Sequence, residues 1–258
     1  MKKVLILIFT LILAFCSFSC SELPELNKED VETWGNDLAV LYEENEYTPY
    51  GKWYNVKFSE KSESKGGRNQ DVSENATIEG LIYLDENGEI AQYNVEYSMT
   101  MTTNGISMEM EGVAMGKGDK HYVKMTITTP VADPNGGVTI TTQEVEENIG
   151  YNFCQTLSSY VFAIDPTKLA EEFDGSQMRG VIYGNRIDIR GDMDMQGEKA
   201  TAIFQYEYDS ATAELRSWHL SMRQTEEFDN GGTIGTISSF LDTIITLAEE
   251  TQITVPTV

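Results

Sequence analysis

The sequence is poor in the residue types that build common catalytic and metal sites. It has three cysteines and two histidines among 258 residues, and it contains no Gly-x-Ser-x-Gly, P-loop or dinucleotide-binding motif. His121 and His219 both lie in strand-like patterns, without a cysteine or carboxylate at the spacing of a metal site. We therefore predict no catalytic residues, no metal and no cofactor, and we expect the protein not to be an enzyme.

Positive charge is also scarce. Lysine and arginine total 18 residues against 42 aspartates and glutamates, which gives a formal net charge of −24. Such a chain repels the phosphates of nucleic acids and the head groups of anionic lipids. Nucleic acid is therefore excluded as a partner, and so is purely electrostatic docking on a membrane. The simplest role of this charge is to keep the protein soluble.

The sequence has no apolar run long enough to form a membrane-spanning helix. Its longest apolar segment, residues 4–15, is shorter than the roughly 20 residues that a spanning helix needs. Lys2 and Lys3 precede this segment, and polar residues follow it directly. The pattern is typical of a secretory signal peptide, which we place at residues 1–19.

The end of this segment, Ser17-Phe18-Ser19-Cys20, resembles a bacterial lipoprotein signal, although it lacks the usual leucine three residues before the cysteine. The resemblance implies that Cys20 becomes the acylated first residue and that residues 20–26 form a lipidated tether. Two or more acyl chains would hold the protein firmly in a membrane. It would then lie in the bacterial cell envelope, on the periplasmic or the cell-surface side. The alternative is an ordinary signal peptide cut at a small residue.

Residues 27–258 are predicted to form a single α+β domain. Helical periodicity of apolar residues predicts helices at about 27–45, 145–164 and 236–250. A Ser-, Lys- and Gly-rich stretch predicts a mobile loop at about 59–75, and residues 252–258 are expected to end the chain as a strand. Cys154 is the only cysteine left if Cys20 is acylated, so stability must come from a core without disulfides.

Residues 76–128 carry the pattern of an antiparallel meander. Apolar and polar residues alternate over 93–102, and turn sequences at Asp85-Glu86-Asn87-Gly88 and Asn104-Gly105 separate the strands. Similar strands are predicted between residues 178 and 223. The fold class expected from these patterns is α+β, with a large, curved, half-barrel-like antiparallel sheet packed against a few amphipathic helices.

Methionine is unusually frequent in this meander, where valine and isoleucine would be the common choices. Methionine is flexible and polarizable, and it suits surfaces that adapt to varied apolar ligands. We predict a ligand-binding set on one face of the sheet, with ordinary core packing as the alternative role. The set consists of Tyr97, Met99, Met101, Met108, Met110 and Met125.

The methionine-bearing strands at residues 93–112, followed by Lys120-His-Tyr-Val-Lys-Met-Thr-Ile127, resemble the LolA-like family of lipoprotein carriers and lipid-binding envelope lipoproteins. The resemblance lies in the general pattern of methionine-bearing strands and not in a motif of fixed residues. It implies a curved sheet closed by helices over an apolar cavity that holds acyl chains.

Three functions are consistent with the sequence. The first is a lipid-anchored envelope lipoprotein that binds an apolar ligand, such as lipid acyl chains, in a methionine-rich cavity. The second is an interaction module with a fully packed core, whose partner is an envelope or host protein. The third is a hydrolase of envelope polymers, which would need two facing carboxylates in a polar cleft.

Overall fold

The computed structural model describes residues 23–66, 71–132, 138–155, 157, 160–173, 178–195, 198–229 and 234–258. Most of them belong to one antiparallel sheet of eleven strands. The strands are β1 (Lys52–Gly66), β2 (Val72–Leu84), β3 (Ile90–Thr103), β4 (Ile106–Lys117), β5 (Lys120–Ala132), β6 (Val138–Ile149), β7 (Arg179–Tyr183), β8 (Arg186–Met195), β9 (Glu198–Tyr208), β10 (Leu215–Asp229) and β11 (Ile234–Leu247).

The sheet is curved and open, and its topology is two meanders joined at their first and last strands. The strand order is β6-β5-β4-β3-β2-β1-β11-β10-β9-β8-β7. Strand β1 therefore lies in the middle and pairs with β2 on one side and β11 on the other. Neighbouring strands are joined by short turns, as at Asp85, whose carboxylate accepts hydrogen bonds from the backbone N–H groups of Asn87 (2.8 Å) and Glu89 (2.9 Å).

One helix of several turns, α1 (Lys28–Glu44), packs on the inner face of this sheet. The side chain of Asn27 caps it by accepting a hydrogen bond from the Glu29 N–H at 3.1 Å. Val31, Trp34 and Leu38 form its buried stripe. This confirms the helix predicted at about 27–45.

The described residues between β6 and Ile164, which are 150–155, 157 and 160–164, form irregular turns and cover the inner face beside α1. Their aromatic rings contact the sheet directly, because Phe153 lies 4.7 Å from Tyr97 and Phe162 lies 5.2 Å from Tyr54 between ring centroids. A short 3₁₀ turn capped by Asp165 then leads into α2 (Leu169–Glu172). Together with α1, these elements cover only one end of the long strands.

The inner face therefore has two halves, which β1 illustrates. Tyr54, Val56 and Phe58 are buried on the inner face, whereas Glu60 is exposed two residues further along the same face. We call the part that includes Tyr54–Phe58 the covered half. The part that runs from Glu60 to the far ends of the strands is the open half.

The prediction of a large, curved antiparallel sheet is confirmed, but the helices predicted at 145–164 and 236–250 are wrong. Residues 145–149 end β6, and residues 236–247 belong to β11. In β11 the residues Leu241, Thr243 and Ile245 are buried alternately, so the period of two overrides the helical spacing. Their β-branched neighbours also favour a strand. The protein is thus mostly β rather than α+β.

Two further predictions about local structure are wrong. The loop predicted at 59–75 is instead strand at residues 59–66 and 72–75, because β1 and β2 pair from Ser59–Thr77 as far as Ser64–Val72. The strand predicted at 252–258 is irregular, although Ile253 is buried. The predicted signal peptide, residues 1–19, and the lipid anchor Cys20 lie outside the described residues.

Candidate ligand-binding face

The five predicted methionines lie together on the inner face of β3, β4 and β5. Met99 is directly opposite Met110, and Met101 is directly opposite Met108. Side chains opposite each other in antiparallel strands have Cβ atoms about 4.5–5.5 Å apart, so these four residues form a contiguous block. We call them the methionine patch.

The patch belongs to the open half of the inner face. All four of its side chains are half-buried, and no helix covers the strands at this level in the part of the chain that the structure describes. Ile106 extends the patch toward the end of β4 and is 51% exposed. Contiguous apolar surface of this kind can mark a site where a ligand or another protein binds.

The other two predicted ligand residues lie at the border between the halves. Met125 is half-buried against the core, and Tyr97 is buried beside Phe153. The Tyr97 hydroxyl is buried without a hydrogen-bond partner among the described residues. Burial raises the pKa of this phenol, because the ionised form would lose its hydration. Tyr97 is therefore a neutral group next to the patch, with an unused capacity to donate a hydrogen bond.

Two acidic residues border the patch and were missed from the sequence. Glu74 of β2 is directly opposite Met101, and Glu60 of β1 is opposite Ala76, which itself pairs with Met99. Both glutamates fall in the stretch that was predicted to be a loop, so no face could be assigned to them. Their presence means that an anionic group would be repelled at this border of the patch.

The covered half leaves little room for a ligand, since it is filled by large aromatic side chains. Trp218, Tyr54 and Phe204 are fully buried there, and Phe162 contacts the Trp218 ring edge-on at 6.0 Å. The apolar stripe of the predicted helix still packs on this core, although its residues are not α-helical here: they are Ile149, Phe153, Leu157 and Val161. The covered half therefore has the packed core that we expected for an interaction module.

Two clefts open elsewhere on the molecule. One, of about 460 Å³, lies over the polar outer face of β2 to β5, and of the six predicted ligand residues only Tyr97 and Met125 border it. The other, of about 780 Å³, lies at the sheet end near Trp53 and Gln252. Neither includes the methionine patch, which is an open surface rather than a wall of these clefts.

Both histidines lie in strands and are engaged by neighbouring side chains. His121 of β5 is buried, stacks on Tyr93, and has its Nδ1 atom 3.1 Å from the Tyr93 hydroxyl. His219 of β10 lies on the outer face, where Asp242 Oδ1 is 2.8 Å from Nε2 and Gln205 Oε1 is 3.1 Å from Nδ1. Each ring nitrogen of His219 therefore lies within hydrogen-bonding distance of a neighbouring side-chain oxygen.

None of the helices in the described residues has the length and apolar content needed to cross a membrane. No group of three or more histidine, cysteine, aspartate or glutamate side chains in the same residues is arranged to hold a metal ion.

Comparison with known proteins identifies no family. No family model matches the sequence, and no curated protein matches it. Among solved structures, the translocator domain of the autotransporter NalP from Neisseria meningitidis aligns with 82% of this chain and 94% of its own, at 6% identity and a TM-score of 0.24. A LolA superfamily protein from Nitrosomonas europaea aligns with 84% of this chain and 94% of its own, at 9% identity and a TM-score of 0.18.

These similarities are weak, and TM-scores of 0.24 and 0.18 do not establish a shared fold.

Proposed function

We propose that this protein is a bacterial envelope lipoprotein, anchored through Cys20, that binds an apolar ligand such as a lipid acyl chain on the methionine patch. The observation that carries the proposal is the block of half-buried side chains formed by the cross-strand pairs Met99–Met110 and Met101–Met108 on the inner face of the sheet. Burial of apolar surface would drive binding, at about 25 cal/mol for each Å² removed from water.

The surroundings of the patch favour a particular class of ligand. The acyl chain would lie along the methionines. The buried Tyr97 hydroxyl lacks a partner among the described residues, and it would donate a hydrogen bond to the polar end of the ligand if the ring moved toward the patch. Glu60 and Glu74 would disfavour a free carboxylate or phosphate at the other border of the patch. We therefore expect a neutral amphiphile to bind more tightly than a fatty acid of the same chain length.

The binding proposal is tested by native mass spectrometry of residues 21–258, purified gently from cells and then incubated with monoolein or oleate. We expect a bound lipid mass, with monoolein preferred. The double variant Met101→Gln and Met108→Gln should lose it, because both side chains become polar while their length is kept. Met115→Gln is the matched control, since Met115 lies on the opposite face of β4. Unchanged binding in the double variant would refute the assignment.

The anchor is tested separately. Cell fractionation and mass spectrometry of the mature N-terminus should find the wild type in the membrane fraction, with an acylated Cys20. The variant Cys20→Ala should be soluble or unprocessed. A mature protein that begins after another residue and carries no acyl chain would favour the ordinary signal peptide.

The second candidate function, protein interaction, is favoured by a different observation, namely an unpaired strand edge.

A further inference from the structure

The two edges of the sheet differ in how far they are covered. Strand β7 is five residues long, and the N-terminal segment runs along its edge. There the Leu26 N–H donates to the Met178 carbonyl at 3.1 Å, and the Gly180 N–H donates to the Pro24 carbonyl at 2.9 Å. This edge is therefore short and largely occupied.

The opposite edge, β6, is twelve residues long and pairs only with β5 among the described strands. In an edge strand, the N–H and C=O groups of alternate residues point away from the sheet and can pair with another chain. The C-terminal tail reaches only the C-terminal end of β6. There the Asn148 amide, in the orientation that satisfies both its groups, donates to the Pro256 carbonyl at 3.1 Å and accepts from the Val258 N–H at 2.9 Å.

The side chains of β6 do not protect this edge in the usual way. The strand contains neither proline nor lysine, which commonly block edge pairing. Val138 is 63% exposed and Ile140 is 70% exposed, on the same outer face of the strand. The part of β6 that the C-terminal tail does not reach thus carries accessible, β-branched apolar side chains.

The other half of the strand is acidic. Glu144 and Glu146 continue the outer face, and Glu147 lies on the other face. Glu146 accepts a hydrogen bond from the Tyr122 hydroxyl at 2.8 Å and lies 3.5 Å from the Lys124 Nζ atom. In the described part of the chain, Glu144 and Glu147 have no ion-pair partner, so their charges are available to a cationic ligand.

A second copy of this chain is a poor match for the edge. The net charge of −24 on each chain opposes association. An antiparallel pair of β6 strands centred on Val145 would also place Glu144 opposite Glu146, and like charges directly opposite each other are destabilising. A partner strand of opposite charge avoids both costs.

We propose that β6 binds an extended peptide segment of a partner protein as a twelfth strand of the sheet. In the antiparallel orientation that the whole sheet uses, the segment would have basic residues opposite Glu146 and Glu144, followed by apolar residues opposite Ile140 and Val138. The backbone would supply affinity, and the alternate side chains would supply specificity. This inference is independent of lipid binding on the methionine patch.

The test uses residues 21–258 and a fluorescent peptide, Lys-Ser-Lys-Ser-Thr-Ser-Val-Ser-Val. We expect saturable binding by fluorescence anisotropy, weakening with salt, and slower amide hydrogen exchange confined to residues 138–149. A peptide with both lysines replaced by glutamate should not bind. A peptide with methyl groups on alternate backbone nitrogens should not bind either, because it keeps the side chains but loses the strand hydrogen bonds.

The matched variant is Glu144→Lys, which reverses the charge opposite the second peptide lysine and leaves the lipid site untouched. It should weaken binding of the lysine peptide about fivefold, since an exposed ion pair contributes up to about 1 kcal/mol. The proposal is overturned if no peptide binds, or if the methylated peptide binds equally well. It is also overturned if light scattering finds a dimer whose β6 amides are already protected, because a second copy would then occupy the edge.

Discussion

The covered and open halves of the inner face belong to the same strands but differ in chemistry. In β3 the covered half presents Tyr93, Val95 and Tyr97, all buried, and the open half presents Met99 and Met101, both half-buried. Rigid aromatic and β-branched side chains fill the part of the face under α1 and under the irregular segment that follows β6. Flexible methionine side chains occupy the part that no described helix covers, and of these Met110 packs against the edge of the core. We infer that the covered half stabilises the fold and that the open half is therefore free to bind a ligand.

The largest expected effect separates the two halves by stability. Trp218→Ala removes a fully buried side chain from the covered half and should lower the free energy of unfolding by about 3–5 kcal/mol. Met108→Ala, in the open half, should cost about 1 kcal/mol or less. Urea unfolding of the two variants measures the difference. Equal losses would mean that the methionine patch is part of the core.

A smaller loss is expected at the border between the halves. Gly112 lies between Tyr97 and Met125 in the sheet, and a Cβ atom there would collide with the Lys124 carbonyl oxygen. Gly112→Ala should cost about 1–3 kcal/mol, because neighbouring backbone must move. Gly150→Ala is the matched control, since a Cβ atom at Gly150 meets nothing within 4 Å. Similar stabilities for the two variants in urea would contradict this close approach of β4 and β5.

The next prediction is that the stability of the covered half depends on pH. Burial raises the pKa of the Cys154 thiol from 9.0 to about 12, because the thiolate would lose its hydration. The unfolded chain releases this proton at lower pH than the folded chain. The contribution of Cys154 to stability is therefore intact below pH 9 and is lost as the pH rises toward 12.

Thiol labelling measures this protection directly. At pH 8, Cys154 should react with an aromatic disulfide reagent only at the rate of unfolding, and urea should accelerate the reaction. Fast labelling of the native protein would show that the covered half is open to solvent.

The smallest effect on stability is expected from oxidation of the open half. Dilute hydrogen peroxide should oxidise Met101 and Met108 before Met178 and Met193, which are only 2% and 3% exposed. Oxidation makes the side chain polar, so it should abolish lipid binding with little loss of stability. Peptide mapping after a short exposure gives the order. Simultaneous oxidation of all four would remove the distinction between the halves.

Local patterns predicted part of this structure well. The capped helix α1, the turn at Asp85 and the alternation of β3 all follow from residues within one element, and each is confirmed. The methionine patch was also predicted, because alternation and two short turns determine which side chains share a face.

The failures have a common physical cause, namely partners that are distant in sequence. Residues 59–66 are polar and lack periodicity, but they form a strand because β11 and β2 satisfy their backbone hydrogen bonds on both sides. The apolar residues of β11 fit a helical stripe equally well, and only pairing with β1 and β10 selects the strand. Glu60 and Glu74 were missed at the patch for the same reason.

The central claim is that the methionine patch binds an apolar ligand. The most direct measurement is NMR of the protein labelled with ¹³C at its methionine methyl groups, titrated with monoolein. We predict that the methyl signals of Met99, Met101, Met108 and Met110 shift together and saturate, while those of Met115 and Met178 do not move. Uniform small shifts, or shifts confined to methionines outside the patch, would contradict the proposal.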